Sequence, residues 1–415
     1  MKIKLVTFAP HPNFGTCLQS YALNKVLRDM GHDVEFIYNG HENPTPTLVQ
    51  RMKSLIKVIL PLSIVHRIQK KLDETDRTVV YGAPVVLELP NSKFRLVLSK
   101  LPFYETIYKM LKCRTLQWKK VYKFTFEDGN YNMRRLYTSE DYVNVVADAD
   151  IFMTGSDQIW NPYCGGFNPM MFLEFAGDKK RIAYSSSIAR PEFPVEIRDR
   201  AKNDLAKFTH IAVRESQSVD MLNALLVRDD VKLVVDPTLL LTSEQWSEFA
   251  SHATIEFELP KEYILCYFLG DKKIYDDMVN DVKIKTGIKD VITVDCTGGY
   301  INYGNGFIYR DAGPYEFVYL IQHASMVCMN SFHATVFSLI FKVNFVHILK
   351  TQNEKSIESQ NSRMYDLFSR YGMLSKLYKK DSVEWKNDVD YDRVNSMLQS
   401  DILNSYNILK DEICN

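Results

Sequence analysis

The chain has no surplus of either charge: 51 Lys and Arg face 51 Asp and Glu across 415 residues. That balance argues against a dedicated nucleic-acid binder, which carries a basic excess, and no nucleic-acid partner is expected. Cysteine is sparse and scattered. Cys17, Cys113, Cys164, Cys266, Cys296, Cys328 and Cys414 are odd in number, and no two stand at C-x-x-C or other metal-ligand spacing. They read as small core residues of a reducing compartment, and no metal site is expected. No run of about 18 apolar residues exists to span a bilayer. The opening MKIKLVTFAPHPNFG turns polar too soon for a signal-peptide core. A cytoplasmic protein is expected. A strand-borne GxGxxG, a Walker A loop, a GxSxG elbow and an HExxH helix are all missing. Their absence argues against classical dehydrogenation, nucleotide hydrolysis and zinc chemistry.

What is present is a 46% hydrophobic composition, enough for real cores and, at this length, for about two domains. Lys2 to Phe8 is a β-rich run, followed by a loop and a helix to about Met30 that stops at Gly31. Asp33–Tyr38 is the next strand, which completes a βαβ unit and implies a parallel sheet. The rhythm resumes at Asp150–Thr154 and continues through Arg181–Ser185, Ile211–Arg214, Leu233–Asp236, Tyr263–Leu269, Val291–Asp295, Met326–Met329 and Phe345–Leu349. Two doubly wound α/β domains fit these elements. The break Ala189-Arg190-Pro191-Glu192-Phe193-Pro194 places the expected boundary near residues 190–208. The expected units are residues 1–190, residues 191–375, and a helical tail over 376–415.

Residues 46–135 interrupt the pattern. They hold 18 Lys and Arg against 7 Asp and Glu, a local charge of +11. Within them, Leu48–Leu72 mixes apolar and basic residues and is broken by Pro61. One reading is an ordinary insertion packed on the amino-terminal domain. The other is an interfacial helix pair touching anionic lipid.

Four polar clusters stand at the carboxyl ends of expected strands, where open parallel sheets bind ligands. The first, His11–Thr16, holds Asn13 and Gly15 ahead of a helix N-terminus that offers N–H groups to an anion. The second, Thr154–Pro162, places Gly155, Ser156, Asp157 and Gln158 after an apolar strand, as an N-cap or a binding loop. The third delivers Arg214 at the end of Ile211–Val213, suited to bidentate phosphate or carboxylate binding or to pairing with Glu215. The fourth, Asn330-Ser331-Phe332-His333, sets a histidine in the first turn of a helix that follows a strand. That placement suits proton transfer. Arg363 is a further cation ahead of a helix.

With these blocks assembled, the chain resembles the polysaccharide pyruvyl transferase family. The resemblance rests on the NFG loop with LQSYALNKVLRDMGHDVEFI, on ADIFMTGSDQIWNP, RIAYSSS, AVRES and VVDPTLLL, and on GPYEFVYLIQHASMVCMNSFHATVFSLIF with NSRMYDLF. It implies two Rossmann-like domains facing across a cleft, glycosyltransferase-B-like, with the acceptor on the amino-terminal side and the donor on the carboxy-terminal side. It implies transfer of pyruvate from phosphoenolpyruvate to a sugar of a cell-surface polysaccharide precursor, forming a ketal and releasing phosphate, with no cofactor. His333 matches the family's proposed general acid and Arg214 the arginine of its VRE block. Ser331 stands where better-described branches carry an arginine, so Arg363 or Lys350 is expected to supply that cation. Asn330 stands where related sequences carry aspartate. The acceptor is expected on a polyprenyl-diphosphate carrier, with residues 46–135 contacting the inner membrane face. The alternatives are a sugar-nucleotide-dependent glycosyltransferase of the same architecture, or a non-catalytic carbohydrate-binding protein.

Overall fold

The computed structural model describes residues 1–8, 13–39, 116–136, 138–164, 167–270, 273–295, 302–350, 361–380 and 382–414. The Leu48–Leu72 helix pair, His11, Cys113 and Cys296 lie outside the described residues.

The chain folds into two parallel α/β halves. The first sheet has seven strands in the order β3-β2-β1-β4-β5-β6-β7. They are β1 (Lys2–Val6), β2 (Asp33–Asn39), β3 (Met133–Leu136), β4 (Ile151–Thr154), β5 (Lys180–Ser186), β6 (His210–Val213) and β7 (Lys232–Leu233). The second has five, in the order β10-β9-β8-β11-β12. These are β8 (Tyr263–Tyr267), β9 (Asp290–Val294), β10 (Phe307–Tyr309), β11 (Met326–Met329) and β12 (Phe345–His347). Strands covered on both faces must be apolar throughout rather than alternating. Accordingly IFMT of β4, YILCY of β8 and MVCM of β11 are buried at every position.

Six helices matter for the site: α1 (Phe14–Asp29), α2 (Leu116–Tyr122), α3 (Pro314–Gln322), α4 (Phe332–Ile340), α5 (Ser362–Arg370) and α6 (Tyr391–Cys414). The halves meet along α1. The Phe14 ring stacks on Phe317 of α3 at 5.1 Å and tilts against Tyr267 of β8 at 6.0 Å. One apolar cluster therefore contains residues of both halves, and the cleft between them has a packed floor.

The change of sheet falls between Leu233 and Tyr263, not near residues 190–208. β6 and β7 extend the first sheet past the Pro191–Pro194 break, which only turns the chain from β5 into the helix Val195–Leu205. A proline-rich break marks a loop, and it does not distinguish a loop within a sheet from a linker. The carboxy-terminal segment also returns to the first sheet. Tyr184 Oη donates to the Ser405 carbonyl at 3.3 Å, and Ser405 Oγ accepts from the Val235 amide at 3.0 Å. Leu398, Leu409 and Ile413 of α6 are buried.

The described end of the basic segment touches both halves, the Phe124 ring lying 5.8 Å from that of Tyr21 of α1. Lys120 of α2 pairs with Glu256 at 2.7 Å and with Glu316 of α3 at 3.1 Å. Gln117 Nε2 donates to the Asp295 carbonyl at 2.7 Å. Just beyond α2, the Phe124 ring meets Phe249 and Tyr315 edge-on, at 5.8 and 5.4 Å. No helix among the described residues is long and apolar enough to cross a membrane.

Glu412 near the end of α6 gives a stability prediction. Burial pushes its carboxyl up to about 8, while Lys180 and Lys232 act in the opposite direction. Through the window from about 4.5 to about 8 the unfolded chain releases a proton that the folded chain keeps, so stability falls as pH rises. Glu412→Gln should remove that slope and stabilise the protein at pH 7 by on the order of 2 kcal/mol. Melting curves between pH 5 and 8 check both the sign and the window.

Candidate active site

Each sheet reverses its strand order at one point, between β1 and β4 in the first half and between β8 and β11 in the second. Open parallel sheets bind ligands outside the carboxyl ends of the strands at such points. Here the segments following β4, β6, β7 and β11 deliver Asp157, Arg214, Asp236 and His333 to one place.

His333 lies in the first turn of α4 and is buried. Its Nε2 stands 3.4 Å from Asp236 Oδ2. On the other side the ring rests against Gly15 of α1. A Cβ at Gly15 would fall 2.2 Å from His333 Nδ1 and 2.6 Å from its Cγ. The glycine of the NFG loop thus makes room for the imidazole. Gly15→Ala should lower kcat by about 100-fold through displacement of the ring, at a stability cost of about 1–3 kcal/mol for overpacking. Steady-state kinetics and a melting curve separate the two effects.

Arg214 is enclosed by carboxylates. Its Nη1 donates to Asp236 Oδ2 at 2.6 Å, Nη2 lies 3.7 Å from Asp157 Oδ1, and Nε lies 3.7 Å from Glu215 Oε1. Its guanidinium also covers the Phe332 ring at 4.3 Å. Nε and Nη2 are buried without a hydrogen-bond partner among the described residues, each facing a carboxylate at 3.7 Å. The net charge at Arg214 is nevertheless offset by its three acidic neighbours. Asp236 is held ionised: burial alone would raise its carboxyl, but His333 and Arg214 hold it well below the usual range. Its other oxygen accepts from the Thr238 amide at 3.0 Å and hydroxyl at 2.7 Å.

Asp157 sits in the left-handed region, with φ +69°, and accepts from Thr16 Oγ1 of α1 at 3.0 Å. Burial would raise its carboxyl, yet His333, Arg214 and Arg363 lower it. Gly155, at φ +113°, passes so close to the β5 backbone that a Cβ would meet the Tyr184 carbonyl at 2.1 Å. Ser156 lies beneath, its amide donating to Gln19 Oε1 at 3.1 Å and its carbonyl accepting from Thr7 Oγ1 at 3.2 Å. The Gln158 amide reaches Asn161 Nδ2 at 2.8 Å on one side and Arg363 Nη1 at 3.1 Å on the other.

Of the residues expected from sequence, the fold gathers Gly15, Asp157, Gln158, Arg214, His333 and Arg363. Asn13 and Ser331 cap helices instead: Asn13 Oδ1 accepts from the Gly15 amide at 3.1 Å and Ser331 Oγ from the Ala334 amide at 3.4 Å. Lys350 follows β12, close enough to Cys164 and His347 to act on both electrostatically. Asn330 does not orient His333, because its side chain accepts from the Leu269 amide at 2.7 Å and ties β11 to the loop after β8. Asp236 was not among the expected residues. The signal was present, since Asp236 ends the apolar run LVVD just as Arg214 ends IAVR. A cavity of about 30 Å³ opens beside the cluster between Arg214, Asp236, Phe332 and Arg363 and the α5 side chains Asp366 and Arg370.

A sequence model described as polysaccharide pyruvyl transferase matches residues 13–349. A comparison with curated proteins gave no match. Among solved structures, the UDP-GlcNAc 2-epimerase of Neisseria meningitidis, bound to UDP-GlcNAc, is 8% identical with a TM-score of 0.50, covering 100% of each chain. The glycosyltransferase SsfS6 of Streptomyces sp. SF2575 is 14% identical with a TM-score of 0.40 over 99% of each chain. The epimerase likeness shows the fold, the two-domain architecture of glycosyltransferase-B type, and at this identity the fold alone.

Proposed function

We propose, from the premise that this chain belongs to the polysaccharide pyruvyl transferase family, that it transfers pyruvate from phosphoenolpyruvate to two hydroxyls of a sugar in a cell-surface polysaccharide precursor. The observation that carries this reading is the contact of His333 with Asp236 beside Arg214, at the point where both sheets end. The donor carries a carboxylate and a phosphate, and it needs a proton at its methylene carbon. A buried imidazole beside two arginines suits both demands.

In this reading protonated His333 gives its proton to the methylene carbon, and C2 becomes an oxocarbenium-like electrophile. The Arg214 fork and Arg363 hold the donor anion. One sugar hydroxyl adds to C2 and its proton passes to the now neutral His333, whose Nε2 faces the Asp236 carboxylate at 3.4 Å. Phosphate then leaves with the electrons of its C–O bond. A second hydroxyl adds, its proton leaves on the departing phosphate, and the cyclic ketal closes. No cofactor enters these steps. The acceptor would be presented at the inner face of the membrane on a polyprenyl diphosphate, and the enzyme would work in the cytoplasm.

Thermal-shift titration tests the choice of donor. Phosphoenolpyruvate should stabilise the protein in proportion to log concentration above its Kd. Stabilisation by nucleotide sugars, with none by phosphoenolpyruvate, would favour the glycosyltransferase alternative.

A further inference from the structure

The acidic ring around Arg214 raises a question of charge. Asp157, Glu215 and Asp236 all lie within 3.7 Å of its guanidinium, so Arg214 offers directed donors with little net positive charge. A ligand bearing both a carboxylate and a phosphate needs cations that outnumber the acids. The other side of Asp157 supplies them. The Gln158 carboxamide lies 3.1 Å from Arg363 Nη1 at one end and 3.8 Å from Cys164 Sγ at the other. The neighbouring Tyr163 ring carries the Arg190 guanidinium at 4.3 Å. Arg190 is only 9% exposed. Aromatic stacking fixes a guanidinium by its face and aims its N–H edge along the ring plane, the direction in which oxyanions are bound.

The Cys164 thiol reports the field at this spot. Burial pushes it up and Asp157 adds to the rise, while Arg363, Lys350 and Arg190 oppose it together. The thiol and the Gln158 amide thus lie between Arg363 and the stacked Tyr163–Arg190 pair. The chain places Arg190 there through β5: beyond that strand the Ser187 amide donates to the Asp157 carbonyl at 2.9 Å, so the two segments run side by side.

We propose that Arg190 is a binding residue for the donor phosphate, completing with Arg363 and Lys350 a cation-rich subsite on the Tyr163–Cys164 side of Asp157. The proposal rests on the reading of the donor as phosphoenolpyruvate. It divides the labour of the site: Arg214 and Asp236 flank the proton-transfer histidine, and the Arg190 side supplies the charge that holds the leaving phosphate.

Calorimetric titration of the full chain with phosphoenolpyruvate, inorganic phosphate and UDP-galactose tests it. Arg190→Met should weaken phosphoenolpyruvate and phosphate by about 10- to 100-fold, the loss expected for a charge-assisted hydrogen bond. Turnover at saturating donor should fall as well, because charge builds on the departing phosphate that Arg190 would face. Arg190→Lys keeps the charge but not the fork, should lose about 3- to 10-fold, and carries the test if the Met variant fails to fold. Unchanged affinity of a folded variant for both anions would overturn the proposal, as would a loss confined to UDP-galactose. Wild-type binding of phosphate without phosphoenolpyruvate, with the phosphate loss retained in Arg190→Met, would remove the donor reading but keep Arg190 as a phosphate ligand. Wild-type binding of neither anion would remove both.

Discussion

Replacing His333 with alanine should lower turnover by roughly 10²- to 10⁴-fold, the span that general acid catalysis supplies, while donor affinity stays within a few-fold. The expectation follows from position. The imidazole is buried against Gly15 and aligned with Asp236, whereas the cations that hold the donor come from other elements. The variant also empties the space of a buried ring against Gly15 and beside Asp236, so its melting temperature should fall too. Binding measured by calorimetry and turnover by phosphate release separate the two effects. Retained turnover would remove His333 as the acid.

Asp236→Asn should be equally damaging and should differ in kind. The amide keeps the shape and the contact with Thr238 but carries no charge to face the His333 imidazolium, so kcat should again fall by roughly 10²- to 10⁴-fold. It also withdraws the 2.6 Å partner of a buried arginine. Breaking a buried pair from one side costs about 3–5 kcal/mol, which Glu215 and Asp157 reduce here because both face the same guanidinium. A lower melting temperature and lower kcat together are therefore expected. Since Asp236 is held ionised by His333 and Arg214, its contribution to stability is fully present above the ordinary carboxylate range. That contribution is lost only as pH falls through its depressed folded value. Acid unfolding of the wild type should accordingly begin below that range, and Asp236→Asn should flatten it.

Much of the scaffold was legible because buried parallel strands must be apolar throughout. The runs at β1, β4, β5, β8 and β11 are visible as such, and each emerged within a few residues of its expected place. The site was legible through one rule: a polar residue that ends an apolar strand points into the crevice. The rule found Asp157, Arg214 and His333, and applied to LVVD it would have found Asp236 as well. What local sequence could not supply was pairing. That β6 and β7 join the first sheet depends on contacts formed across the chain, so locally the proline break near 190 looks the same as a boundary between sheets. Nor could it tell a cap from a ligand-binding group. Asn13 and Ser331 are polar residues at helix starts, and their side chains are occupied by the amides that a helix N-terminus leaves unpaired. The clasp made by Lys120 with Glu256 and Glu316 joins positions far apart in sequence and left no local signal.

The central claim is tested most directly by incubating the purified protein with phosphoenolpyruvate and a panel of galactosyl, mannosyl and glucosyl acceptors, with phosphate release and product mass read together. The account predicts acceptor-dependent phosphate release matched by a pyruvate-sized gain in the mass of one sugar, lost in His333→Ala. Absence of release with every acceptor, alongside clear stabilisation by a nucleotide sugar, would contradict it.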